Sequence, residues 1–132
     1  MGQEDRLKKQ IDQLAKALAK MLAKLSGIKQ TNTAETVEQV NQNLKAELNL
    51  NLDELAGLSD DQLISTLTHN YKLNNGHLSL LADIIYTSAK LQAEGSDQLS
   101  QKALVLYRHL AATSENYSLE WHNKIAELSK VV

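Results

Sequence analysis

Four histidines, one tryptophan, four tyrosines and fourteen Lys or Arg residues are the groups in this chain that could do chemistry. His69, His77, His109 and His122 are nowhere four residues apart, the spacing that sets two imidazoles over one metal on a helix face. The chain has no cysteine, which excludes disulfides, thiolate metal ligands and cysteine nucleophiles. His69 and His77 flank one polar stretch and read as solvated loop side chains, with a loop-borne metal or acid–base role as the sharper alternative. His109 and His122 fall in helical patterns and read as partly exposed. Asp60-Asp61 follows Ser59 and is better explained by helix capping than by metal binding. Gly-rich phosphate loops, nucleophile elbows and calcium loops are all missing from the sequence. Asn116-Tyr117-Ser118 matches the glycosylation sequon, a frequent chance match. Tyr107, Tyr117 and Trp121 could line a ligand groove, but in a chain with no Phe they read first as large core anchors. No catalytic residue, cofactor or metal is expected, and the chain is not read as an enzyme.

The strongest pattern lies in the first 29 residues. Leu7, Ile11, Leu14, Leu18, Met21, Leu22 and Leu25 recur at helical spacing, and together form a candidate interaction face. Arg6, Lys9, Lys16, Lys20 and Lys24 fall on the opposite side as a candidate basic face. A stripe of this kind packs into its own domain or a second copy, lies in a membrane interface with lysines toward anionic headgroups, or fills a groove on another protein. Interfacial helices favour Trp or Phe on the apolar face, and this one has neither. Nucleic acid is not an expected partner, because no aromatics alternate with the lysines and the rest of the chain is acidic.

The formal charge of −2 is unevenly spread. Residues 1–29 carry seven basic and three acidic side chains, and the remainder carries seven basic and thirteen acidic ones. A basic helix is therefore attached to an acidic body. At 132 residues the chain is read as a single all-α domain: 1–29 the basic helix, 30–76 a second helix with leucine-rich short helices, and 77–132 a C-terminal helical region. There is no proline, and Leu, Ala, Gln, Lys and Glu outnumber Val and Ile, which favours helix over strand. No signal peptide or apolar run long enough for a membrane span is recognisable, and Arg6 stands where a myristoylation motif wants Ser or Thr. A cytoplasmic location is expected.

These residues need elements to position them. The first helix is expected over about Gln3 to Ser26, stopped by Gly27, with 29–32 a polar linker. A second begins at the N-cap Thr33 and carries Val37, Val40, Leu44 and Leu48. Leu48, Leu50 and Leu52 then make an extended turn, followed by a short turn at Asp53–Ala56. Ser59 and Gln62 form a capping box ahead of Leu63, Ile64 and Leu67. His69 to His77 is a polar connector turning at Asn74-Asn75-Gly76. Leu80, Leu81, Ile84, Ile85, Ser88 and Leu91 mark a helix from His77 to Ala93, closed by Gly95. Leu99, Ala103, Leu106, Tyr107 and Leu110 mark the next, and Trp121, Ile125 and Leu128 the last, from Ser118 to Lys130. Continuity across Thr113–Asn116 is open. The expected architecture is a bundle of five or six helices.

Two resemblances add to this reading. Ala103, Tyr107 and Leu110 in the run Lys102 to Leu110 resemble the second helix of a tetratricopeptide-type hairpin, where a small, an aromatic and an apolar residue pack two helices. The tryptophan and glycine positions of that repeat's first helix are not recognisable, and no 34-residue period recurs. The whole chain resembles a family of small uncharacterised bacterial helical proteins classed as a domain of unknown function. The likeness is carried by Ile11, Gln13, Leu14, Ala17, Leu18 and Ala19, the segment from Leu48 to Leu63, and the helix pair Leu80–Ala93 and Gln101–Leu110. It implies an all-α fold with a tetratricopeptide-like C-terminal hairpin, and no activity or site residue. The expected function is a protein-interaction or self-association module. A membrane-surface protein anchored by the first helix is the alternative, and a small ligand-binding protein or enzyme the least favoured.

Overall fold

A computed structural model describes the backbone of residues 3–26, 33–91, 96–114 and 118–131, and all side chains within these spans except those of 3–12, Ser26, 33–36, Ser96 and Val131. The chain is all-α: α1 (Gln3–Ser26), α2 (Thr33–Leu48), α3 (Leu52–Gly57), α4 (Asp60–Ser65), α5 (Asn75–Leu91), α6 (Ser96–Thr113) and α7 (Leu119–Val131), with a π-helical turn at Thr66–Asn70. The expected stops Gly27 and Gly95, the side chain of the cap Thr33, the linker 29–32, and Asn116 and Tyr117 of the sequon lie outside the described residues or side chains.

Local capping explains the short helices. Asn51 Oδ1 accepts from the Glu54 amide at 2.8 Å while Glu54 Oε1 accepts from the Asn51 amide at 3.4 Å. This reciprocal pair starts a helix where the sequence suggested only a turn. Ser59 and Gln62 make the expected box, with both bonds at 3.2 Å. Asn49 ends α2 in the left-handed region, φ 58°, and its amide bonds the Lys45 carbonyl at 2.9 Å, the usual closure by a left-handed residue. Leu48 and Leu52 on either side of that bend are both buried.

The connector before α5 is shorter than expected. Asn74 Oδ1 accepts from the His77 amide at 3.0 Å, and His77 Nδ1 accepts from the Asn74 amide at 3.3 Å. Histidine thus takes the place of Glu in a capping box, so Asn75-Gly76 form the first turn of α5 instead of a loop. The price in solvation is visible: His77 is buried at 2 % exposure, which corrects its reading as a solvated loop histidine, whereas His69 is exposed. Along α5, Leu80 and Leu91 are only partly buried, and Leu78, Ala82 and Ala89 take core positions.

One hydrophobic core draws on all seven helices. Helix α5 lies at its centre, packing most extensively on α6 and then on α1, and α6 in turn carries α7. Leu18, Met21 and Leu25 of α1 are buried, with Leu14 and Leu22 packed partly buried against the core. The described part of the apolar stripe is therefore occupied by the chain's own interior. Ala103, Tyr107 and Leu110 are fully buried between neighbouring helices. Helices α6 and α7 are separate elements, with Ser114 outside helix and Ser118 Oγ accepting from the Trp121 amide at 3.4 Å as a cap. Among the described residues no helix is long and apolar enough to cross a membrane.

Candidate functional site

With its leucines turned inward, α1 presents its lysines outward. Lys16, Lys20 and Lys24 are all exposed and follow one another at a four-residue spacing, about 6 Å apart along the helix axis. They form one wall of an open groove of about 360 Å³ between α1 and α2. Ala17 and Met21 lie between them, Gln13 extends the same wall, and Asn43, Ala46 and Glu47 of α2 face it. Small side chains at Ala17 and Ala46 keep the groove open, and the amides of Gln13 and Asn43 offer hydrogen bonds at its sides.

The electrostatics are one-sided. Among the described residues the cationic groups of α2, α5, α6 and α7 that form ion pairs are Lys45 with Glu54, Lys90 with Glu127, Lys102 with Asp60 and Lys124 with Asp83. None of the three groove lysines forms one with a described residue, and Glu47 across the groove lies beyond ion-pair distance. Like charges four apart on a helix repel by about 0.2–0.5 kcal/mol per pair, while the position of Lys24 in the last turn of α1 is favoured by the helix dipole. The arrangement can hold an anionic group series by charge and hydrogen bonding.

A second polar cluster fastens α7 to α5 and α6. Asp83 accepts from Tyr107 Oη at 2.5 Å and from Lys124 Nζ at 2.8 Å. The rings of Tyr86 and Tyr107 meet edge to face at 6.3 Å, and Lys124 Nζ stands 5.2 and 5.3 Å from their centroids. Tyr86 Oη donates to Glu127 at 2.5 Å, and Lys90 Nζ pairs with the same carboxylate at 3.0 Å and covers the Tyr86 ring at 4.6 Å. Trp121 Nε1 reaches Ser79 Oγ at 3.4 Å. Burial, reinforced by the bond to Asp83, pushes the Tyr107 phenol far above its ordinary range. Burial and Glu127 raise Tyr86 as well. The Tyr86 hydroxyl and then Lys90 hold the Glu127 carboxyl below its ordinary value, and Tyr86 and Glu127 keep the Lys90 ammonium above its own. Every polar group here has a partner inside the cluster, and its chemistry is that of a clasp.

The four histidines are not brought together: His77 caps α5 from the core, His69 is exposed within the π-helical turn, and His109 and His122 lie half-exposed and exposed on α6 and α7. No group of three His, Cys, Asp or Glu among the described residues could hold a metal ion. Trp121 and Tyr107 belong to the clasp, and Tyr117 lies outside the described residues. Asp60 serves Lys102, an α6 ammonium whose side chain is 8 % exposed, so the acidic capping turn has a tertiary role besides the local one. Of the proposed interaction face, Leu14, Leu18, Met21, Leu22 and Leu25 pack inward. The side chains of Leu7, Ile11, Arg6 and Lys9 lie outside the described set. The sequence reading missed the α2 wall of the groove, for which a lone Ala46 between Asn43 and Glu47 is too weak a signal.

No protein-family model matches the chain, and no curated protein or solved structure matches it.

Proposed function

We propose that this protein is a non-enzymatic protein-interaction module that recognises an acidic surface of its partner through the groove between α1 and α2. The observation that carries the reading is the row Lys16, Lys20 and Lys24, exposed, without ion pairs to any described residue and lining a groove. A row of exposed like charges along one groove suits an anionic ligand outside the fold. Burial of Leu18, Met21 and Leu25 counts against anchoring by the apolar face of α1, because a membrane would have to draw them out of the core. A cytoplasmic setting, kinship with the small bacterial helical family and tetratricopeptide-like packing of α5 on α6 belong to the same reading; the last rests on Ala103, Tyr107 and Leu110.

Fluorescence anisotropy of a labelled polyglutamate peptide tests it. Binding at low salt that weakens as salt rises, and is lost when Lys16→Glu, Lys20→Glu and Lys24→Glu are combined, is the expected result. A wild type that ignores the peptide at low salt, or a triple variant that binds equally well, contradicts it.

A further inference from the structure

We infer that the groove takes an acidic α-helix of a different protein, one bearing Asp or Glu at i, i + 4 and i + 8 and laid along α1. The inference rests on the interaction reading above and names the partner's form. Three properties of the groove select a helix. Its lysines repeat at four-residue intervals, so carboxylates on a second helix at the same interval meet them one to one. Its long axis is the valley between two helices, the shape into which a ridge of helical side chains packs. Its lining includes Ala17 and Ala46, one on each helix, and Met21, two small side chains that admit a close backbone and one adaptable thioether.

The same spacing rules out a second copy as the donor of that helix. Nowhere in the chain do two Asp or Glu residues stand four apart, so none of its own helices offers the three matched carboxylates. Of the four acidic residues at the capping turns, Glu54 and Asp60 are already engaged by Lys45 and Lys102. A lipid surface is a poorer match as well, because the apolar part of the site is recessed between two helices and not raised toward a plane. Glu47 stands on the far wall and opposes any incoming carboxylate, which makes it the natural modulator of affinity.

The test compares probes on the full chain. One is a capped, Ala-rich helical peptide of about 20 residues with three glutamates at i, i + 4 and i + 8. A second has the same composition with the glutamates at i, i + 2 and i + 7, and the third probe is vesicles rich in anionic lipid. The expected result is binding of the matched helix about tenfold tighter than the scrambled one, loss of that binding in Lys20→Glu, and about threefold tighter binding in Glu47→Gln. Equal binding of both peptides, still lost in Lys20→Glu, overturns the helix while leaving an acidic partner. Binding of neither peptide overturns both readings, and vesicle binding in place of peptide binding overturns both in favour of a membrane. Because Lys20→Glu places opposite charges four apart on α1, its melting temperature is expected to stay at or above wild type, so lost binding cannot be traced to lost folding.

Discussion

Asp83 receives two donors on one oxygen, and that makes Tyr107 the residue at which the fold's polar interior is most exposed to test. Tyr107→Phe keeps the ring and deletes the hydroxyl, and Asp83 keeps Lys124. A loss of about 1 kcal/mol in urea denaturation is expected. The pH dependence follows from the sign of the shift. The folded state holds the Tyr107 proton while the unfolded chain releases it near the ordinary value of 10.0, so stability is intact below that pH and falls as pH rises past it. Tyr107→Phe removes the larger part of this alkaline loss, and a smaller part remains from Tyr86 and Lys90, both raised in the same sense. Ser88 is a second case: its Oγ is buried with no hydrogen-bond partner among the described residues. Ser88→Ala removes an unsatisfied polar atom and is expected to raise stability by about 1 kcal/mol, read from the same denaturation curves. The sequence showed Tyr107 as a core residue through its spacing with Ala103 and Leu110. It could not show Asp83 as the hydroxyl's partner, because that contact depends on how α5 and α6 sit side by side. Ser88 was legible as inward-facing, but its missing partner was not.

At the scale of elements, α1 divides into a face that folds the protein and a face that is free for a ligand, and the two should separate by mutation. Leu18→Ala empties a fully buried position and is expected to cost about 2–5 kcal/mol, measured as a lowered denaturation midpoint. Lys20→Glu is expected to leave that midpoint unchanged or raised while abolishing acidic-peptide binding. If instead Leu18→Ala melted like wild type, the inward packing of α1 would be refuted. Elements whose signal is local were legible: the Ser59–Gln62 box and the Val37–Leu48 face of α2, whereas the break before α7 was left open. Those that depend on an unusual partner were not. The Asn51–Glu54 box looked like a turn because its helix is only six residues long, and the Asn74–His77 cap hid behind an Asn-Asn-Gly signal that normally marks a loop. Leu52 illustrates the same limit, since its amide is held by Asn41 Oδ1 at 2.9 Å from eleven residues away.

For the whole molecule, the division into a basic helix and an acidic remainder was readable from charge counts, but not its geometry. The same amphipathic pattern serves a helix folded inward, shared between copies or laid on a membrane, and only the packing of α1 on α5 distinguishes them. A groove needs two walls, and the second, on α2, has no pattern of its own. Since no helix of the chain offers three carboxylates matched to the lysines, the protein is expected to remain a monomer of 14.7 kDa over a wide concentration range, by light scattering coupled to size exclusion. A stable dimer would show that an unforeseen face drives self-association.

The most direct measurement is a nuclear magnetic resonance titration of the full-length, isotope-labelled protein with the matched acidic helix. Amide shifts are predicted to concentrate between Gln13 and Lys24 on α1 and between Asn43 and Glu47 on α2, and to vanish in Lys20→Glu. Shifts confined to α5, α6 and α7, or no shifts at millimolar peptide and low salt, would contradict the groove as the contact.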